Sequence, residues 1–257
     1  MVGAAADTWF LFNKYLRITL RMPMWALFNV IQPLIWLLIF GQLFKSMATL
    51  PGFPPGRYMD FFLPGAVIMT VLFGSSWAGV SLLREITFGT VDKMLVTPVS
   101  RIAIVMSRVL HSAATVVVQC LIIVAVAMVF GSRIALDPVA ILLGVVVIFL
   151  LAAGFAALSN GLAIFLKREE PLVVIGNMLT LPLMFFSSAM VPAAFMPEWI
   201  KGLAAINPIH YAVETVRMLF AGGYALGPVV LGLGFLSFFA LVTVVWSTEM
   251  FMNQGEG

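Results

Sequence analysis

A chain of 257 residues with 62% hydrophobic and 10% charged residues and a mean hydropathy of +1.11 excludes an ordinary soluble domain, which carries roughly 25% charge. Its +3 formal charge is small and scattered, which argues against nucleic acid as a partner, and the single Cys120 excludes a disulfide framework. Apolar runs of about 18 or more residues read as membrane-crossing helices, so the fold class is all-α and polytopic.

Met1 to Asp7 has no basic stretch ahead of a short apolar core and cleavage site, so no removable signal peptide is expected. A first helix is predicted over 7–22. Trp9, Phe12, Leu16 and Leu20 recur at helical spacing, while Lys14, Arg17 and Arg21 form a second row, with Phe10 intruding on it. That pattern suits a helix lying in the membrane interface with its basic row toward head groups. A cytosolic extension of the first span is the other reading.

Six spans follow, near 24–44, 61–83, 99–130, 139–166, 171–192 and 226–248. The turn-rich "TLPGFPPGRY" parts the first two, "SRIALDP" the third and fourth, and "KREEP" the fourth and fifth. With the N-terminus inside, nine Lys and Arg fall on the cytosolic side and five outside. The positive-inside rule therefore expects both termini, and residues 84–101, in the cytosol.

"REITFGTVDKMLVTPVSR", residues 84–101, interrupts the apolar sequence with five charges. Gly89 breaks any continuous helix, and "TVDKMLV" has room for barely two turns. Thr97 is predicted to cap the third span and Pro98 to open it. Phe88, Val91, Met94 and Leu95 are apolar with no membrane to enter there. Exposed apolar groups with a charged rim mark a partner surface. An ordinary loop resting on the bilayer satisfies the same residues equally well.

On the third span, Arg108, Ser112, Thr115 and Gln119 recur at +4, +3 and +4, with His111 beside them. One polar face inside a span lines a transport path or dimer seam, or else forms hydrogen bonds between helices of one subunit. Asn160 and Asn177 read as packing residues only. No Asp, Glu, Lys or Arg lies near a predicted midplane, where an ion-coupled secondary carrier usually keeps one. There is no G-x-x-x-x-G-K-[ST] phosphate loop, so the energy for transport is expected from another polypeptide. An intramembrane serine protease built on Ser75 or Ser76 with His111 or His210 lacks its G-x-S-G pattern.

Between the fifth and sixth spans the chain is too polar to cross. Pro197 starts one short helix, with Trp199 on it and Glu198 in its first turn. Asn207 and Pro208 cap and open a second, which carries Tyr211 and ends at Gly222-Gly223. Glu214 and Arg217, three apart, are placed to pair. The two helices either dip into the outer leaflet or lie on its surface.

Residues 84–101 resemble the signature of ABC-2 type permeases, matching at Glu85, Gly89, Thr90, Asp92, Leu95 and Thr97 through Arg101. Asp92 and Met94 stand where Glu and Leu are commoner. "MPEWIKGLAAINPIHYAVETVRML" is similar to the family's stretch before the last span, and the daunorubicin-resistance exporters are the branch it suggests. The resemblance implies one transmembrane domain over 1–257. Within it, residues 84–98 hold a coupling helix that docks into an ATP-binding subunit through Glu85, Phe88, Gly89, Asp92, Met94 and Leu95. It implies a re-entrant hairpin over 193–223 with Trp199, Asn207, Pro208, Tyr211, Glu214 and Arg217. It also implies two permease chains, identical or not, with two ATPase subunits, and ATP and magnesium bound by the ATPase and not by this chain. The uncharged apolar interior favours a hydrophobic or amphiphilic drug or lipid as cargo, exported across the plasma membrane. Export of a polysaccharide or glycolipid is the alternative within the family, an ion-coupled carrier the alternative outside it, and a non-transporting membrane subunit a third.

Overall fold

Residues 3–21, 23–49 and 56–253 are described by the computed structural model, and among them every regular element is helical. In chain order these are α1 (Ala4–Arg21), α2 (Pro23–Leu43), a 3-10 turn (Lys45–Thr49), α3 (Tyr58–Thr87), α4 (Thr90–Leu95), α5 (Arg101–Val129), α6 (Pro138–Leu166) and α7 (Glu169–Phe185). A second 3-10 turn (Ala193–Phe195), α8 (Glu198–Ala204), α9 (Pro208–Ala221) and α10 (Leu226–Asn253) complete the chain. Among the described residues, four helices, α3, α5, α6 and α10, are long and apolar enough to cross a membrane. At 28 to 30 residues each they exceed the roughly 20 residues that a bilayer core requires.

α6 is the centre of the bundle and packs against α3, α5, α9 and α10. The outward faces of the long helices carry Leu121, Ile122, Phe238 and Leu241 exposed. Apolar rows of that extent are stable against acyl chains and not against water.

Caps written in the sequence set several helix ends. The Asp137 carboxylate accepts from Val139 N and Ala140 N ahead of Pro138, and the Asn207 side chain accepts from Ile209 N ahead of Pro208.

Several boundaries differ from the sequence expectation. α5 begins at Arg101, not Pro98, and its cap is Ser100, whose Oγ accepts from Ala103 N at 3.1 Å. Thr97 instead closes α4, donating to Met94 O at 2.6 Å. Ser100 is held extended because its own N–H donates to the Asp7 carboxylate of α1. α7 ends at Phe185, short of the predicted 192. The Asn207 amide donates to Leu183 O and Phe186 O, taking up carbonyls that a further turn would need, and Ser187 Oγ closes on Met184 O. α1 also starts three residues earlier than expected, at Ala4.

α3 and α6 cross at Gly79. The Ser159 hydroxyl donates to Ser76 O at 2.6 Å and accepts from Gly79 N at 3.0 Å, so the two backbones nearly touch. A Cβ on Gly79 would stand 2.2 Å from Ser159 O, a backbone atom that cannot step aside. Gly79→Ala is therefore expected to lower stability by about 1–3 kcal/mol, or several degrees in detergent melting. Gly144→Ala on the same helix pair, where a Cβ meets nothing within 4 Å, should be neutral or slightly stabilising. Equal melting temperatures for both variants would show that the crossing is looser than described.

Candidate functional site

The chain turns out of α3 at Gly89, whose φ of 65° is the left-handed conformation that a side chain disfavours. Six residues of α4 follow, and the turn is too short to be held by its own helix bonds. Val91 holds it instead, 3% exposed among residues of the main core, with Met94 packed beside it. Val91 is thus an inward anchor and not one of the exposed apolar groups. Facing outward are Phe88 at 77%, Leu95 at 39% and Val96 at 86% exposure, with Asp92 and Lys93 around them. Val96 escaped the sequence reading because it lies past the helix, where no periodicity points to it. Behind this patch, Arg84 at the end of α3 grips Glu169 at the start of α7 with two parallel bonds of 3.0 and 3.2 Å.

Glu85 does not stand at the rim of the patch. Its Oε2 accepts from the Tyr15 hydroxyl of α1 at 3.2 Å and forms an ion pair with Arg108 of α5. Arg108 is 6% exposed and Glu85 22%, and the guanidinium also lies 5.0 Å from the centre of the Tyr15 ring. Burial pushes the Tyr15 phenol up to about 12, the Arg108 charge pulls it back and the Glu85 charge pushes it further up. The phenol is therefore a neutral donor at any physiological pH. One turn on, His111 Nε2 meets Thr19 Oγ1 of α1 at 2.9 Å. These contacts tie α1, α3 and α5 together directly behind α4.

The polar row of α5 does converge on one space. Arg108, Ser112, Thr115 and Gln119 line a cavity of about 270 Å³ bounded by α1, α2, α3 and α5. Sequence spacing placed these four on one face, while their neighbours Tyr15, Thr19 and Trp77 come from helices that spacing cannot relate. Ser75, Ser76 and the two histidines form no Ser–His hydrogen bond among the described residues, and Ser76 Oγ is spent on Leu72 O.

Opposite α4, at the far end of the long helices, lies the α8–α9 pair. Asn207 is 2% exposed and Pro208 buried, while Trp199 is 62% exposed with its ring against Phe186. The Tyr211 ring stacks on Phe235, and its hydroxyl donates to Ala205 O. Glu214 and Arg217 do pair, and Arg217 also donates to Ser188 O and sits 4.1 Å from the centre of the Phe61 ring. Charged contacts therefore sort to two ends. Asp7 to Ser100 and Arg101 to Met252 O lie with α4, and Asp60 with Ser132 and Asp137 with Tyr224 lie with α9.

A helical bundle with this charge separation and these exposed apolar faces is a polytopic transmembrane protein. Residues 6–221 match the family model described as ABC-2 type transporter. The chain is 31% identical over 203 residues to a transport permease named ycf38 of Cyanophora paradoxa, covering 78% of this chain and 69% of that one. It is 26% identical to the doxorubicin resistance ABC transporter permease protein DrrC of Mycobacterium tuberculosis, over 86% of this chain and 78% of that protein. Against the daunorubicin resistance ABC transporter permease protein DrrB1 of Streptomyces coeruleorubidus it is 28% identical, over 79% and 70%. The chain belongs to the ABC-2 type transporter family.

Proposed function

We propose that this chain is the membrane subunit of an ATP-driven exporter, and that α4 is the surface on which a separate ATP-binding subunit docks. The observation that carries the reading is the exposed patch of Phe88, Leu95 and Val96 at the two ends of a short helix anchored by Val91. A stiff apolar patch outside the bilayer transmits force only to a partner that covers it. Two permease chains, the same or different, and two ATPases carrying ATP and magnesium make the working unit, and closure of the ATPases rocks the spans through α4. The cargo is a hydrophobic or amphiphilic drug or lipid, in keeping with the drug-resistance permeases among its relatives. Reconstitution with an ATPase in vesicles tests this. Export of such a cargo that continues without ATP but stops when the ion gradient collapses would make the chain a secondary carrier.

In this reading α2 and α7 complete six spans, α1 lies in the inner interface, and α8 and α9 dip into the outer leaflet of the plasma membrane. Both termini and α4 are then cytosolic. Cysteines introduced at positions 93 and 201 in a Cys120→Ala background check the orientation. An impermeant reagent outside intact cells should label position 201 strongly and position 93 not at all. Strong labelling at 93 would invert the topology.

A further inference from the structure

The cavity behind α4 is bounded by α1, α2, α3 and α5, and the docking of an ATPase on α4 makes no use of it. At about 270 Å³ it is close to the lower bound of roughly 300 Å³ for small-molecule pockets, so it takes a ring or a head group and not a whole drug-sized molecule. Its charges cancel: among the described lining residues, Arg108 and Glu85 are the charged ones, and they are paired. An anion would meet the Glu85 carboxylate and a cation the Arg108 guanidinium at nearly the same distance, so neither sign of charge is favoured.

Hydrogen-bonding capacity remains after the pair has formed. Ser112 and Thr115 bring hydroxyls to the lining, and the Thr115 hydroxyl, which donates to His111 O, can still accept. A carboxylate has about four lone-pair sites, and the Tyr15 and Arg108 contacts recorded for Glu85 both fall on Oε2. Trp77 supplies a flat apolar wall to the same space, with hydroxyls and amides around it.

From these features we infer that the cavity binds an uncharged, hydroxyl-bearing ring, either as the head group of an inner-leaflet lipid or free in solution. The ring's C–H face packs on Trp77, and its hydroxyls donate to Glu85 and to the Thr115 hydroxyl and exchange a hydrogen bond with Ser112. The depth given to the site rests on the topology proposed above, but the binding does not, because it needs no ATPase and no transport.

The test uses the full chain in phosphatidylcholine nanodiscs doped with equal amounts of glucosyl diacylglycerol and phosphatidylglycerol, with retained lipid counted by native mass spectrometry. One glucosyl lipid per chain, retained at least tenfold over phosphatidylglycerol, is expected. Trp77→Leu should reduce that retention at least fivefold, whereas Trp77→Tyr, which keeps a stacking face, should preserve most of it and gauge any loss of folding. Displacement by millimolar methyl glucoside would assign recognition to the free ring, and retention against it to the lipid-borne ring. Equal or better retention of phosphatidylglycerol, or unchanged glucosyl lipid in a folded Trp77→Leu chain, would overturn the inference. Failure of ATPase docking would leave it standing.

Discussion

Leu95→Asp and Phe88→Asp are each expected to reduce recovery of the ATP-binding subunit in pull-down by about thirtyfold or more, and to abolish ATP-driven export. Buried apolar anchors at an interface contribute about 2 kcal/mol or more each, and an aspartate there adds an unpaired charge to an apolar seat. Phe88 is 77% exposed in the isolated chain and its change removes little packing from the permease itself, while Leu95, at 39%, gives up part of its own. Insertion, expression and melting temperature should stay at the wild-type level for Phe88→Asp and fall only slightly for Leu95→Asp. Val91→Asp supplies the contrast, because Val91 is 3% exposed and an aspartate there would be buried in the core. It should lower expression and stability along with docking. Lys93→Ala, at the exposed rim, should change association rate and salt dependence more than affinity. If Leu95→Asp retains both pull-down and export, α4 is a connector between spans and the docking proposal fails.

Glu85→Gln is expected to destabilise the chain by about 3 kcal/mol, because it strands the Arg108 guanidinium in a site only 6% exposed. At about 2–4 °C per kcal/mol for a chain of this size, melting should fall by about 10 °C. The double variant Glu85→Gln with Arg108→Gln should recover at least half of that loss, since removing both charges removes the uncompensated one. Tyr15→Phe deletes one donor to the carboxylate and should lower stability by about 1 kcal/mol. A single Glu85→Gln chain that melts within a degree or two of the wild type would show that water screens the pair. Because Glu85 lies in the last turn of α3, immediately before the Gly89 bend, the same variant should loosen the base of α4 and lower coupled ATPase activity even where docking persists.

Much of this architecture is decided by forces that act within a few residues of each other. Apolar runs long enough for a bilayer, Asp137-Pro138 and Asn207-Pro208 at helix starts, and Gly89 at a left-handed bend each satisfy a local rule. Helical spacing likewise set Arg108, Ser112, Thr115 and Gln119 on one face and made Glu214 and Arg217 neighbours. What spacing leaves open is the rotation of each helix against the others, which depends on partners remote in sequence. Glu85 matched a docking signature as a rim charge, yet it turns inward because Tyr15, 70 residues away, and Arg108 meet it there. Val91 and Val96 are alike by composition, but the packing of α4 on the bundle buries one and exposes the other. Thr97-Pro98 was a sound helix start by local chemistry, and it lost to Ser100 because Asp7 on α1 holds that residue's N–H. The cavity is the extreme case, since four helices must assemble before its charge-balanced lining exists at all. A local pattern specifies which groups share a face, and only the summed packing of distant helices determines what that face meets.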